Sequence, residues 1–171
     1  MIGCNAGAAL NAGDHNVLLG RSAGCSITSG INNLAIGNQA GMGLVDGSYN
    51  AFYGKDAGKC ATSACCNIFI GPRAASGISA RRHEGISNIG IGQSIQMPNR
   101  FGSNQLAIGQ TSQYWITGDE NFNVGIGTTT PQAKLDVVGD LHVTGVTTLG
   151  RGSTGDVYLY NPANSALSAT T

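Results

Sequence analysis

The sequence predicts an all-β protein, a parallel β-solenoid or β-roll of 17-residue coils followed by a short β shaft, and three observations carry that expectation. A glycine closing the motif Asn-x-x-apolar-Gly falls at Gly3, Gly20, Gly37, Gly54 and Gly71, each 17 residues after the last. It recurs at Gly92, Gly109 and Gly127, after steps of 21, 17 and 18. Before these glycines, two apolar residues alternate about a variable one, which reads as a short strand with one face buried. The composition fits: 27 glycines, 11% charged and 6% aromatic residues in 171 suit repeated tight turns around a thin core.

In the strand slots, Val17 and Leu19, Leu34 and Ile36, Ile68 and Ile70, Ile89 and Ile91, Leu106 and Ile108, and Val124 and Ile126 are paired apolar positions. They are expected to face the core. The residue between them varies (Leu18, Ala35, Phe52, Phe69, Gly90, Ala107, Gly125), so it is expected to face something else. A period of 17 is too short for helix-pair or leucine-rich repeats, and it suits one coil made of two short strands and two glycine turns. Seven residues after the motif glycine a further apolar residue recurs at Leu10, Ile27, Leu44, Ala61, Ile78 and Ile116.

Four residues before the motif glycine stands an amide: Asn16, Asn33, Asn50, Asn67, Asn88, Gln105 and Asn123. Stacked coils repeat every ~4.8 Å, and an amide both donates and accepts, so these residues predict a hydrogen-bonded ladder. The plainer alternative is that they are turn formers, as are the repeat glycines Gly20, Gly37, Gly54, Gly71, Gly92, Gly109 and Gly127. One coil encloses little apolar volume, and solenoid ends and edges need protection. Association with identical chains, as an intertwined or side-by-side homotrimer, is the expected remedy.

Residues 1–127 therefore read as the solenoid. Pro131 breaks the pattern, since proline cannot continue a central strand. Residues 128–150 follow a six-residue beat, Lys134–Gly139 then Asp140–Gly145, expected to form a β shaft. Residues 151–171 read as one strand, near Tyr158 and Tyr160, and a flexible tail.

The run Asn123-Val124-Gly125-Ile126-Gly127-Thr128-Thr129-Thr130-Pro131, leading into Lys134-Leu135-Asp136-Val137 and Gly139, resembles the junction that precedes the intramolecular chaperone domain of phage tail fibres. Units such as Asn33-Leu34-Ala35-Ile36-Gly37-Asn38-Gln39-Ala40-Gly41 are similar to the repeats of those fibres and to the head repeats of trimeric autotransporter adhesins. The likeness covers about residues 2 to 150. It implies a trimeric structural protein of a virion, engaged in or supporting attachment to a host-surface glycan or protein. A bacterial trimeric surface adhesin and a polysaccharide-binding solenoid are the alternatives. No chaperone domain follows within the chain, so no self-cleavage residue carries over. The first coil starts only two residues before its motif glycine, as expected of a piece of a longer fibre or of an end capped by a partner.

Chemistry is expected to be absent. An enzyme needs converging acids, bases or nucleophiles, whereas His15, His83 and His142 lie in unrelated phases and the carboxylates are scattered. No catalytic residue, cofactor or metal site is expected. A formal net charge of zero argues against a nucleic-acid partner, and no apolar run reaches the ~18 residues of a membrane span. Arg81, Arg82 and His83 occupy the extra length between Gly71 and Gly92, as a solvated charge run or a binding protrusion. Tyr114 and Trp115 are expected to cap the last coil, with sugar stacking as the alternative. The five cysteines are read as reduced thiols in small buried slots. The alternative is a disulfide within the turn Lys59–Cys66 or between chains at the fibre axis.

Overall fold

A computed structural model describes residues 1–77, 84–111 and 113–144. Its secondary structure is nine strands and no helix among those residues: β1 (Val17–Leu19), β2 (Leu34–Ile36), β3 (Ala51–Tyr53), β4 (Ile68–Ile70), β5 (Ile89–Ile91), β6 (Leu106–Gln110), β7 (Gln113–Gly118), β8 (Val124–Ile126) and β9 (Leu135–Val137). They form one sheet in chain order. From β1 to β6 every pairing is parallel, with Val17 beside Leu34, Leu34 beside Ala51 and Ala51 beside Ile68. The longer coil keeps the same alignment, Ile68 beside Ile89, so its four additional residues leave the strand register intact. This is the parallel β-solenoid that the glycine spacing predicts.

Each coil carries one three-residue strand rather than two. The rest of the coil is turn, closed by bonds such as Ala23 N–H to Gly20 O (3.2 Å) and Ile27 N–H to Gly24 O (3.1 Å). Gly24, Gly41 and Gly58 hold φ of 54–60°, a left-handed conformation that interrupts extended pairing. Their backbones still stack from coil to coil, Gly24 N–H on Ala40 O (2.9 Å) and Gly41 N–H on Ala57 O (2.8 Å).

The strand faces are the reverse of the sequence expectation. The variable middle residue points inward: Leu18, Ala35, Phe52, Phe69 and Ala107 are at most 2% exposed. The paired aliphatic residues point outward, β1, β4, β5 and β8 each reading exposed, buried, exposed. The cause is volume. Strand side chains alternate faces, and the opposite wall already places Ala23, Ile27, Ala40, Leu44, Ala57, Ala61 and Ala74 in the interior. Room remains for one inward side chain per strand, not two.

The middle slot varies because its neighbours compensate. Phe52 and Phe69 stack at 5.5 Å with rings 8° from parallel. The space comes from facing glycines: a Cβ on Gly41 would stand 2.8 Å from the Phe52 ring, and one on Gly58 2.7 Å. Where Gly90 takes the slot, the Phe69 ring and the Met97 sulfur occupy the volume, 3.1 and 3.4 Å from where a Cβ would be.

The stack changes at β6. β7 returns antiparallel along β6, Ile108 opposite Ile116, and β8 runs antiparallel to β7. Ile116, at the phase of the recurring apolar residue, is exposed on this hairpin, whereas Ile27 and Leu44 at the same phase are buried. β9 then pairs parallel with β8, Val124 beside Leu135 and Ile126 beside Val137, so the first hexad adds a strand to the sheet. The chain divides into two compact units, Met1–Asp140 and Leu141–Thr171. In the second, residues 141–144 are described; they are exposed and hold no strand. Gly145 onward, with the expected strand near Tyr158 and Tyr160, lies outside the described residues.

Candidate functional site

The asparagine ladder is a continuous buried structure. Asn16 Oδ1 accepts both the backbone N–H (2.9 Å) and the side-chain N–H (3.0 Å) of Asn33. Asn33 Oδ1 does the same for Asn50 at 3.1 and 3.0 Å, and Asn50 Oδ1 for Asn67 at 3.1 and 3.2 Å. Each amide also donates across the corner to a carbonyl in the next coil: Asn33 to Gly47 O, Asn50 to Ala64 O, Asn67 to Gly85 O and Asn88 to Gly102 O. Those acceptors stand seven residues before the motif glycines Gly54, Gly71, Gly92 and Gly109, so two columns of the repeat are partners in one network. The ladder continues through Asn88 N–H on Asn67 Oδ1 (2.9 Å) and ends with Gln105 N–H on Asn88 Oδ1 (2.9 Å). The Gln105 amide then turns to the backbone of Asn99. Asn123, on the far side of the hairpin, is bound to Asp119 instead (2.9 Å).

The repeat glycines Gly20, Gly37, Gly54, Gly71 and Gly92 hold φ of 123–136°, and Gly127 holds 75°. A Cβ on Gly37 would lie 2.5 Å from Gly54 O, so these positions are dictated by coil-to-coil approach. Gly109 differs, lying within β6. Two other left-handed columns escaped the sequence because few of their members are residues that favour it. Asn5, Ser22, Gln39, Asp56, Arg73, Ser94 and Thr111 form one, and His15, Asn32, Tyr49, Cys66, Ser87, Asn104 and Phe122 the other, all at φ of 53–61°. Only the three asparagines, His15 and Asp56 belong to types enriched there. The stacked coils impose the conformation on the rest.

Arg81, Arg82 and His83 lie outside the described residues. Tyr114 and Trp115 diverge on β7. Tyr114 packs partly against the core, and burial raises its pKa. Trp115 is exposed at 63%. Tyr114 also borders, with Gly127, Thr128 and Thr129, an open groove of about 540 Å³. Thr117, which no pattern singled out, is buried beneath the same hairpin and donates to Thr128 O (2.6 Å). It sits between Ala107 and Gly125 in the sheet, where the other strands place their inward residue. At the tip of the hairpin, Asp119 is held below the usual carboxylate range. The Asn123 backbone N–H is the chief cause, helped by the Asn123 amide, the Asn121 N–H and Lys134.

None of the five cysteines fills a buried slot, contrary to the expectation. Cys4 and Cys66 are exposed, while Cys25, Cys60 and Cys65 are half-buried, and all are free thiols. No group of three or more His, Cys, Asp or Glu side chains among the described residues is placed to hold a metal ion.

The most extensive surface feature is the outer sheet face. Val17 (54%), Leu19 (40%), Ile70 (40%) and Ile126 (42%) mark its span, with Ile68, Ile89, Ile91 and Val124 comparably exposed. Leu34, Ile36, Leu106 and Ile108 are half-buried on the same face. No charged side chain enters either column from β1 to β8 along the solenoid, Tyr53 being the one polar-tipped member. No helix among the described residues is long and apolar enough to cross a membrane. No protein-family model, curated protein or solved structure matches the chain. The class the geometry defines is a parallel β-solenoid with an apolar outer sheet face.

Proposed function

We propose that this chain is a segment of a homotrimeric structural fibre of a phage virion, a tail fibre that mediates or supports attachment to the host cell, without catalytic activity. The observation that carries it is the outer aliphatic face. Six parallel strands extend it over about 24 Å at the usual strand spacing. A contiguous apolar surface of that kind marks an interaction site. A partner with the same 17-residue rise matches it coil for coil, and copies of this chain meet that requirement by construction. The number three and the virion setting rest on the likeness of the repeats and of the junction Asn123–Gly139 to tail fibres.

Light scattering on the purified chain tests the assembly. Three times the chain mass is expected for the native protein, and dissociation with retained β signal for Ile70→Lys and Ile89→Lys, whose side chains point away from the core. A folded wild-type monomer would overturn the proposal. Neighbouring genes for virion proteins support the tail-fibre setting; a signal peptide and membrane anchor encoded upstream would replace it with a bacterial surface adhesin.

A further inference from the structure

The fourth coil carries two adjacent cysteines at a corner. In an extended strand, successive side chains point to opposite faces, which would hold two such thiols apart. Here Cys66 has φ of 61°, and the two sulfurs lie 2.9 Å from one another. The bend is not made by the cysteines. His15, Asn32, Tyr49, Ser87 and Asn104 hold φ of 57–60° at the same phase of other coils. The solenoid corner itself therefore brings the two sulfurs together.

Cys65 has a second, structural task. At its phase, Ser48 Oγ accepts the Ile31 N–H (3.0 Å) and Ser103 Oγ accepts the Ile86 N–H (3.1 Å). The Cys65 sulfur takes the Ser48 N–H in the same manner. Serine thus satisfies this corner in two other coils, and Cys65 is not required there as a thiol. Nothing in the repeat calls for sulfur at Cys66, whose counterparts are Asn32, Tyr49, Ser87 and Asn104.

We propose that Cys65 and Cys66 form a redox-active pair that closes to a vicinal disulfide on exchange with a small-molecule disulfide such as glutathione disulfide. The chemistry runs in two displacements. The exposed Cys66 thiolate attacks one sulfur of the external disulfide; a Cys66 mixed disulfide forms and one thiolate leaves. Cys65 loses its proton to solvent or to that thiolate and attacks the Cys66 sulfur, expelling the second thiolate. Two protein thiols are oxidised and one external disulfide is reduced to two thiols. Closure needs the sulfurs to approach from 2.9 Å to about 2.05 Å. Adjacent Cα atoms lie ~3.8 Å apart, below the ~4.4–6.8 Å usual for disulfides, so the small ring is readily reopened by thiols. In the reduced pair, the hydrogen bond with Cys66, followed by burial and the charge of Cys66, raises the Cys65 pKa.

This pair is independent of the assembly proposed above, and its test needs no oligomer. The folded chain is incubated with glutathione disulfide, its remaining thiols are counted, and the tryptic peptide Cys60–Arg73 is weighed. Because that peptide also contains Cys60, the measurement is made on Cys60→Ser as well. Expected in both proteins are the loss of the two adjacent thiols, a peptide lighter by two hydrogens and free of glutathione, and reversal by dithiothreitol. Cys65→Ser is expected to retain native β signal and stop at the glutathione adduct on Cys66. A persistent adduct in the native chain, a link to Cys60 or to another chain, or five unreacted thiols would overturn the proposal.

Discussion

Asn50→Ala probes the ladder at a central rung. The side chain is 2% exposed and makes bonds on both sides. Its Oδ1 accepts the Asn67 backbone N–H at 3.1 Å, and its Nδ2 donates to Ala64 O at 2.8 Å. Alanine deletes both partners without admitting a replacement, since the neighbouring Asn33 and Asn67 are equally buried. An orphaned buried donor or acceptor costs about 1–3 kcal/mol. Two of them give about 2–6 kcal/mol, a large share of the stability of an ordinary domain. Asn123→Ala is the control, because Asn123 carries the same motif position but bonds only Asp119 at the hairpin tip; it should cost under about 1 kcal/mol. Urea unfolding followed by far-ultraviolet circular dichroism measures both. Equal losses for the two variants would refute the claim that the ladder, rather than asparagine's liking for turns, holds the coils together.

Phe52→Ala removes half of a stacked pair in a core of small residues, and a loss of about 3–5 kcal/mol is expected in the same unfolding assay. Gly37→Ala places a Cβ 2.5 Å from Gly54 O at φ 135°; a loss above about 3 kcal/mol, or failure to fold, is expected, whereas Gly109→Ala, in β6, escapes the positive-φ part of that strain. The lowered pKa of Asp119 means that its contribution is present above the unfolded carboxylate value of ~3.9 and is lost as pH falls through the lower folded value. Protection of the Asn121 and Asn123 amides from exchange, relative to the unfolded rate at each pH, should therefore fall in that acid range, and Asp119→Asn should shift the response.

How much was legible beforehand follows from what each residue reports. Glycine spacing reports coil length, and it located every parallel strand from β1 to β5, because a position such as Gly37 tolerates no side chain. The amides at Asn33 to Asn88 reported the ladder, since a buried column must both donate and accept. Alternation gave the strands but not their inward side. In a thicker protein the two aliphatic residues would face the core, and only the volume of the opposite wall, Ile27, Leu44 and the alanines, reverses this. The hairpin at β6–β7 was hidden because Ile116 stands in the expected apolar phase while the chain has already reversed. The left-handed columns through Gln39 and Tyr49 were hidden for a different reason: their conformation is set by neighbouring coils, not by their own side chains. The outer face emerged as an interaction surface only when its aliphatic residues were found outside.

A cryo-electron microscopy map of the assembled chain decides whether that face is where the chains meet. Three chains around one axis are expected, with the columns Val17–Ile126 and the Ile68, Ile70, Ile89 and Ile91 side chains packed against that axis. Chains meeting through the turn wall, or a single chain with those residues open to water, would contradict it.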